Sequence, residues 1–176
     1  MKLITAPEDI HKFRVTRNGW DVQPNPSLFL GGSIEQGKAE LWQDKVAESL
    51  ADKPLLLFNP RRAEWNEFSD EAMIRKQIRW ELSALEESDA IFIYLQPGTL
   101  SPISMLEFGL FARPNSRRKL VVTCPPGFWR RTNIEETAAR FSVPLFDTIE
   151  EGIKKAVQLA EINYIHDNDW ARPLYD

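Results

Sequence analysis

The sequence contains a single cysteine, Cys124, and only two histidines, His11 and His166, near opposite ends of the chain. One cysteine excludes an internal disulfide and a cysteine-based metal cage, and the distance in sequence between the histidines argues against a local histidine-rich metal site. Acidic residues outnumber basic ones by 26 to 22, and a net charge of −4 disfavours binding to a nucleic acid polymer. We therefore expect no metal and no nucleic acid partner.

Long apolar runs are missing as well. No stretch of the sequence approaches the roughly 20 residues that a membrane-spanning helix needs, and the first residues lack the apolar centre of a signal peptide. These features predict a cytoplasmic protein without membrane contact. With 43% apolar and 27% charged residues over 176 positions, the composition is typical of one globular domain.

Short apolar runs alternate with amphipathic, helix-like segments along the chain. Runs without polar alternation predict strands that are buried on both faces. The order indicates an α/β, flavodoxin-like fold: a doubly wound, five-stranded parallel sheet with helices on both faces. The predicted strands are residues 27–31, 54–58, 90–95, 119–123 and 143–146. We expect three parts: an N-terminal extension that could form a hairpin (1–26), the α/β domain (27–164) and a polar, aromatic C-terminal tail (165–176).

Ligands of such sheets bind beyond the carboxyl ends of the strands, so the loop after the first predicted strand is a candidate site. Residues 31–38 read GGSIEQGK and lead into a helix. Glycines there allow backbone N–H groups to face a ligand, and a helix N-terminus favours an anion. The spacing matches neither a P-loop nor the dinucleotide fingerprint, and an ordinary strand-to-helix turn is an equally good interpretation.

Glu107 is the only charged residue between Asp89 and Arg113. Helix packing would bury most of this segment, and a buried carboxylate costs several kcal/mol unless it is paired or protonated. Such a cost is often tolerated for catalysis. Ser104 lies one turn earlier on the same helical face, and Ser101 stands at the helix start. The alternative is a structural carboxylate that accepts hydrogen bonds from neighbouring N–H groups.

Three further places carry polar or aromatic side chains near predicted strand ends. Asp89 begins the third predicted strand, where a capping or loop role is the simpler interpretation. Arg61 and Trp65 follow the second strand, and Trp129 follows the fourth. Arginine with tryptophan suits an anion and a stacked base, and Trp129 also suits a subunit contact. The alternative for these segments is a solvated surface loop.

Taken together, these segments resemble the nucleoside 2-deoxyribosyltransferase superfamily, and in particular its deoxyribosyltransferase-like branch. The resemblance spans about residues 27–133 and implies the flavodoxin-like fold already inferred. It is carried by FLGGSI at 29–34, NPRR at 59–62, Asp89 before an apolar strand, Ser101, MLEFG at 105–109 and FWR at 128–130. Members cleave the N-glycosidic bond of (deoxy)nucleosides or their 5′-monophosphates.

The resemblance also implies roles for individual residues. The nucleophilic glutamate of the family falls on Glu107, and the aspartate that contacts and helps protonate the base falls on Asp89. Glu107 would attack C1′ while Asp89, or a group near it, protonates the leaving base, and a second base or water would resolve the glycosyl-enzyme ester. This chemistry needs no cofactor. The implied substrate contacts are Gly32, Ser33, Ile34, Ser101 and Ser104, with Arg61, Trp65 and Trp129 as additional contacts.

Two positions depart from the transferase pattern. Phe29 stands where transferases carry a tyrosine that touches the nucleophile, and Ser101 stands where they carry an aspartate that binds sugar hydroxyls. A serine at that spacing resembles the 2′-deoxynucleoside 5′-phosphate N-hydrolases, in which it helps to bind phosphate. The sequence therefore predicts a homo-oligomeric enzyme that cleaves or transfers at the N-glycosidic bond of a nucleoside or nucleotide. Hydrolysis of 5′-monophosphates, cleavage of a dinucleotide such as NAD, and non-catalytic nucleotide binding are the alternatives.

Overall fold

The computed structural model describes residues 1–17, 20–35, 39–62, 70–113 and 119–168. Within these ranges the strands are β1 (Lys2–Thr5), β2 (Val15–Arg17), β3 (Trp20–Val22), β4 (Ser27–Gly32), β5 (Leu56–Asn59), β6 (Ala90–Tyr94), β7 (Leu120–Thr123) and β8 (Leu145–Phe146). The helices in the same ranges are α1 (Trp42–Ser49), α2 (Glu71–Glu87), α3 (Pro102–Ala112), α4 (Arg131–Phe141) and α5 (Ile149–Asn168).

The doubly wound parallel sheet predicted from the sequence is confirmed. Its described part contains six strands rather than five, in the order β1-β5-β4-β6-β7-β8. The additional strand, β1, comes from the predicted N-terminal extension and pairs in parallel with β5, with Leu3 opposite Leu57. The other five strands coincide with the predicted apolar runs. Strands β2 and β3 form a separate antiparallel hairpin in the same N-terminal segment.

Helices cover both faces of the sheet. Helices α2, α3 and α4 pack against one face, where Trp80, Phe108 and Ile134 join a single apolar cluster. Helices α1 and α5 pack against the other face, where Trp42 and Ile153 belong to a second cluster. Each large apolar side chain buried in this way contributes roughly 1.5–3 kcal/mol to folding. The central strands are apolar on both sides for this reason, and their runs show no polar alternation.

Gly32 ends β4 at the point where the chain turns into the candidate loop. Its φ of +143° is a conformation that side chains of L-residues rarely adopt. A Cβ atom at this position would overlap the carbonyl oxygen of Tyr94 and lie 2.8 Å from its backbone nitrogen. Both obstacles are backbone atoms of β6 and cannot rotate away, so only glycine allows β4 to approach β6 this closely.

Replacing Gly32 by alanine should lower the free energy of unfolding by more than about 3 kcal/mol, because backbone strain and overlap with β6 add together. Urea unfolding measures the change. Gly109→Ala in α3 is the matched control, since its Cβ would meet nothing within 4 Å, and it should be neutral or stabilising by up to about 1 kcal/mol. Similar unfolding midpoints for the two variants would contradict this account.

Candidate functional site

Three hydroxyl groups meet at the carboxyl ends of β4 and β6. Ser33 Oγ lies 2.8 Å from Thr99 Oγ1 and 2.6 Å from Ser101 Oγ, and the last two oxygens are 2.9 Å apart. The backbone N–H of Gln96 donates to Ser33 Oγ at 2.8 Å. All three hydroxyl-bearing side chains are buried. The cluster therefore fixes the loop after β4 to the loop before α3, at the sheet edge where the sequence predicts a site.

A carboxylate stands in front of α3. Glu35 Oε1 accepts hydrogen bonds from the backbone N–H groups of Leu100, at 2.9 Å, and Ser101, at 2.8 Å. Ser101 occupies the N-cap position, but its side chain makes no capping bond because the hydroxyl belongs to the cluster with Ser33 and Thr99. Glu35 therefore supplies the negative charge that is stabilising at a helix N-terminus.

Helix α3 carries Glu107 on its inner face. Ser104, Glu107 and Phe108 share this face and are buried, with Glu107 only 7% exposed. Across the described residues, the Glu107 carboxylate accepts no hydrogen bond and forms no ion pair. Burial, and secondarily the charge of Glu81, raise the pKa of Glu107 to about 8. The described part of the chain thus provides no N–H partner of the kind that a structural carboxylate requires.

Glu81 lies on the neighbouring helix α2, among many other charged residues, and the sequence alone does not point to it. It is close enough to Glu107 to interact with it electrostatically. Gln77 Nε2 donates to Glu81 Oε1 at 2.9 Å and also to the carbonyl oxygen of Pro60 at 2.9 Å. Burial raises the pKa of Glu81, although the hydrogen bond from Gln77 opposes the shift. The signal in the sequence was positional, because Glu81 shares a helical face with the buried residues Gln77, Ala84 and Leu85.

These features can be compared with known families. Residues 25–128, which include both carboxyl groups and the hydroxyl cluster, match the family model described as "Nucleoside 2-deoxyribosyltransferase like". The chain belongs to the nucleoside 2-deoxyribosyltransferase-like family. A search of curated proteins finds no match. Membership confirms the resemblance and the flavodoxin-like fold, and it indicates an enzyme of the deoxyribosyl-transfer or glycosidase kind with a small nucleoside substrate.

In this family member, the structure does not bring Asp89 to the hydroxyl cluster. Asp89 Oδ2 accepts hydrogen bonds from the backbone N–H of Ser27, at 2.7 Å, and from its hydroxyl, at 2.6 Å. Ser27 begins β4, and Asp89 directly precedes β6. Since the strands are parallel, both residues lie at the amino edge of the sheet, opposite to Ser33 and Ser101. These contacts fit the capping role, and the carboxyl group that interacts with Glu107 is Glu81.

Arg61 and Ile34 support the loop that precedes α1. The Arg61 guanidinium is buried and donates to the carbonyl oxygens of Ala39 and Glu40, at 2.7 Å each. Burial lowers the pKa of Arg61. Ile34 is half-buried, and its carbonyl oxygen accepts a hydrogen bond from the Ala39 N–H at 3.1 Å. The structure thus shows Arg61 in hydrogen bonds that shape the site loop, and the anion contact expected from the sequence stays a prediction.

Of the two tryptophans predicted to line the site, Trp129 is placed by the structure and Trp65 lies outside the described residues. Trp129 is 52% exposed, and its Nε1 donates to the Leu100 carbonyl oxygen at 3.2 Å. Its ring therefore stands beside the start of α3, next to Ser101. The Arg130 guanidinium lies 4.6 Å from the centre of the same ring.

The described residues show neither a metal-binding cluster nor a membrane-spanning helix. No three histidine, cysteine, aspartate or glutamate side chains in these ranges come close enough together to hold a metal ion. Every helix in the described ranges is too short or too polar to cross a lipid bilayer.

Proposed function

We propose that this chain cleaves the N-glycosidic bond of a nucleoside with Glu107 as the nucleophile. The observation that carries the proposal is a carboxylate that is 7% exposed and has no hydrogen-bond partner among the described residues. Leaving such a group without a partner costs several kcal/mol. Proteins tolerate this cost where the group performs chemistry, and family membership indicates which chemistry applies.

Glu81 and Glu107 divide the two roles that glycosidic cleavage requires. Two interacting carboxyl groups resist simultaneous ionisation, and the raised pKa values of both favour a pair that keeps one proton. In the reactive form the proton lies on Glu81. An ionised Glu107 oxygen then bonds to C1′ while the electrons of the C1′–N bond leave with the base, which takes the Glu81 proton. Water or a second base afterwards displaces Glu107 from the ester, and its proton returns to Glu81.

Gln77 supplies a contact for the base in this proposal, and Trp129, beside Leu100, lies at the sugar end of the site. Gln77 Oε1 is buried and has no hydrogen-bond partner among the described residues. A substrate N–H group would relieve the cost of that unpaired acceptor. The half-exposed Trp129 ring offers a flat apolar wall at the entrance of the site.

Base release should decrease above about pH 8, because the carboxyl pair then loses the proton that the leaving base needs. A profile of kcat/KM against pH measures this alkaline limb. Glu81→Gln should flatten the limb, and it should slow the release of poorly leaving bases most. A profile that rises continuously through pH 9 would contradict the assignment of Glu81 as proton donor.

The proposed function is tested by chromatography of free base. The wild-type protein is incubated with common deoxynucleosides, ribonucleosides and their 5′-monophosphates, each with and without an added acceptor base. Release of base from at least one substrate is expected. A new nucleoside formed with the acceptor indicates transfer, and free sugar indicates hydrolysis. Measurable nucleotide binding without base release over several hours would show a binding module and contradict the proposal.

We also propose that α2 and α3 form an interface between copies of this chain. The outer side of α3 carries no charged residue, and large apolar side chains that are 37–61% exposed lie on α3, on α2 and in the loops beside α3. At about half exposure they present on the order of 800 Å², which matches the contribution of one partner to a standard interface. The side chains are Ile74, Ile78, Leu82, Leu100, Ile103, Leu106, Leu110 and Trp129.

Leu106→Glu should convert the oligomer to monomers, because it places a charge at the centre of this apolar surface. Size-exclusion chromatography with light scattering measures the mass. Leu41→Glu is the matched control, since Leu41 is 55% exposed and precedes α1 on the other face of the sheet. A wild-type chain that is monomeric at micromolar concentration would argue against the interface.

A further inference from the structure

The spacing along α3 determines where the sugar of a bound nucleoside ends. Glu107 lies six residues after Ser101, which corresponds to a rise of about 9 Å, and helical side chains lean toward the N-terminus. In the proposed function Glu81 protonates the base, so the base lies on the side of α2. The 5′ end of the sugar is therefore directed away from α2. A sugar that extends from C1′ toward the helix start brings its 5′ group to the loop of residues 99–101.

This end of the site already contains a negative charge. Glu35 Oε1 accepts from both Leu100 N and Ser101 N, which are the backbone donors at the entry to α3. The neighbouring Ser101 hydroxyl is bonded within the buried cluster with Ser33 and Thr99. A 5′-phosphate would therefore have to displace the Glu35 carboxylate or lie against it, and repulsion between like charges opposes both.

A free 5′-hydroxyl meets no such barrier. It is neutral, and it can donate a hydrogen bond to the Glu35 carboxylate, which is a stronger acceptor than a neutral group. The backbone at Glu35 has a φ of +47° and that at Ser101 a φ of +48°. Such conformations are uncommon for residues other than glycine and persist where the surroundings fix them. The carboxylate is thus held at the helix start by the fold.

We propose that Glu35 makes this enzyme select nucleosides with a free 5′-hydroxyl and reject nucleoside 5′-monophosphates. The inference rests on the proposed function, because Glu107 defines the position of C1′. It contrasts with the sequence, in which Ser101 resembles a serine that helps to bind phosphate. The physical difference is that Ser101 alone would favour an anion at the start of α3, whereas the structure places Glu35 there.

The test compares kcat/KM for deoxynucleosides and their 5′-monophosphates in three proteins. The wild type should prefer the nucleoside by at least about 100-fold, and Glu35→Gln should reduce this preference at least about tenfold, mainly through a lower KM for the monophosphate. Glutamine removes the charge but keeps an oxygen that can accept from Leu100 and Ser101. Glu40→Gln, which removes the exposed ion pair with Lys45, is the matched control and should leave the preference unchanged.

Binding measured in parallel separates this inference from the proposed function. Calorimetry with the same ligands uses proteins that also carry Glu107→Gln, with and without Glu35→Gln, and gives a ratio of affinities. If wild-type protein releases no base, the proposed function fails, and the affinity ratio still decides the role of Glu35. A wild-type site that accepts monophosphates as well as nucleosides, or a ratio unchanged by Glu35→Gln, overturns the inference. If neither ligand binds, both proposals are overturned.

Glu35→Asp provides a second check, in case the glutamine variant folds poorly. Aspartate keeps the negative charge on a side chain that is one methylene shorter, so discrimination against the monophosphate should persist. A loss of discrimination in Glu35→Asp equal to that in Glu35→Gln would show that the geometry of the loop, and not the charge of residue 35, determines the preference.

Discussion

Replacing Glu107 by glutamine should lower the rate of base release at least about 1000-fold. An amide has nearly the same shape as a carboxyl group, but it cannot form the glycosyl ester that divides the reaction into two steps. Initial rates with the best substrate of the panel measure the loss. Mass spectrometry of quenched wild-type protein should find the sugar on the peptide that contains residue 107 and should find none in the variant.

Two comparisons make this result specific. Glu136→Gln makes the same chemical change at an exposed position of α4 and should leave the rate unaltered. Glu81→Gln should reduce the rate less for bases that leave easily than for bases that need a proton. A Glu107→Gln variant that keeps more than a tenth of wild-type activity would exclude Glu107 as the nucleophile.

The same variant should be more stable than the wild type in alkaline solution. The pKa of Glu107 is about 8 in the folded chain and 4.5 for an ordinary glutamate. The folded state therefore binds this proton more tightly than the unfolded state does. The resulting stabilisation is fully present below pH 4.5 and is lost as pH rises through 8, with a total on the order of 5 kcal/mol at most. Glutamine has no proton to lose, so the variant escapes this destabilisation.

Urea unfolding at pH 5, 7 and 9 measures this difference. The wild type should lose several kcal/mol relative to Glu107→Gln between pH 5 and pH 9, and most of the loss should fall between pH 5 and 8. Glu136→Gln should follow the wild type throughout. Glu81→Gln should show a smaller dependence, because the charge that helps to raise the pKa of Glu107 is gone. Parallel curves for the wild type and Glu107→Gln would refute a raised pKa.

The sequence predicts the central sheet well because those strands are buried on both faces. Such strands are continuous apolar runs, and the amphipathic helices between them indicate a parallel sheet that is covered on both faces. Strand β1 was missed since it is a short edge strand in which only Ile4 is buried. Helical spacing alone does not reveal which side of a helix faces inward. In α2, Ile78 and Leu82 are exposed, while Trp80 and Ala84 are buried.

The two carboxyl groups of the site differ in how visible they are in the sequence. Glu107 stands alone in an apolar helix, so its burial could be inferred directly. Glu81 stands in a helix with many charged residues, and only the packing of α2 beside α3 shows that it interacts with Glu107. For Asp89 the family resemblance implies a catalytic role and the local sequence a capping role, and the register of β4 and β6 brings it to Ser27.

Strand β1 has a consequence for solubility. It occupies the outer side of β5, whose four residues are all buried, and its own first two side chains, Lys2 and Leu3, face solvent. Without β1, the backbone N–H and C=O groups along one side of the apolar strand β5 could pair with strands of other chains. Such pairing commonly initiates aggregation. With β1 in place, the edge of the sheet is instead a strand of only four residues that carries the charged Lys2, and both features disfavour pairing with other chains.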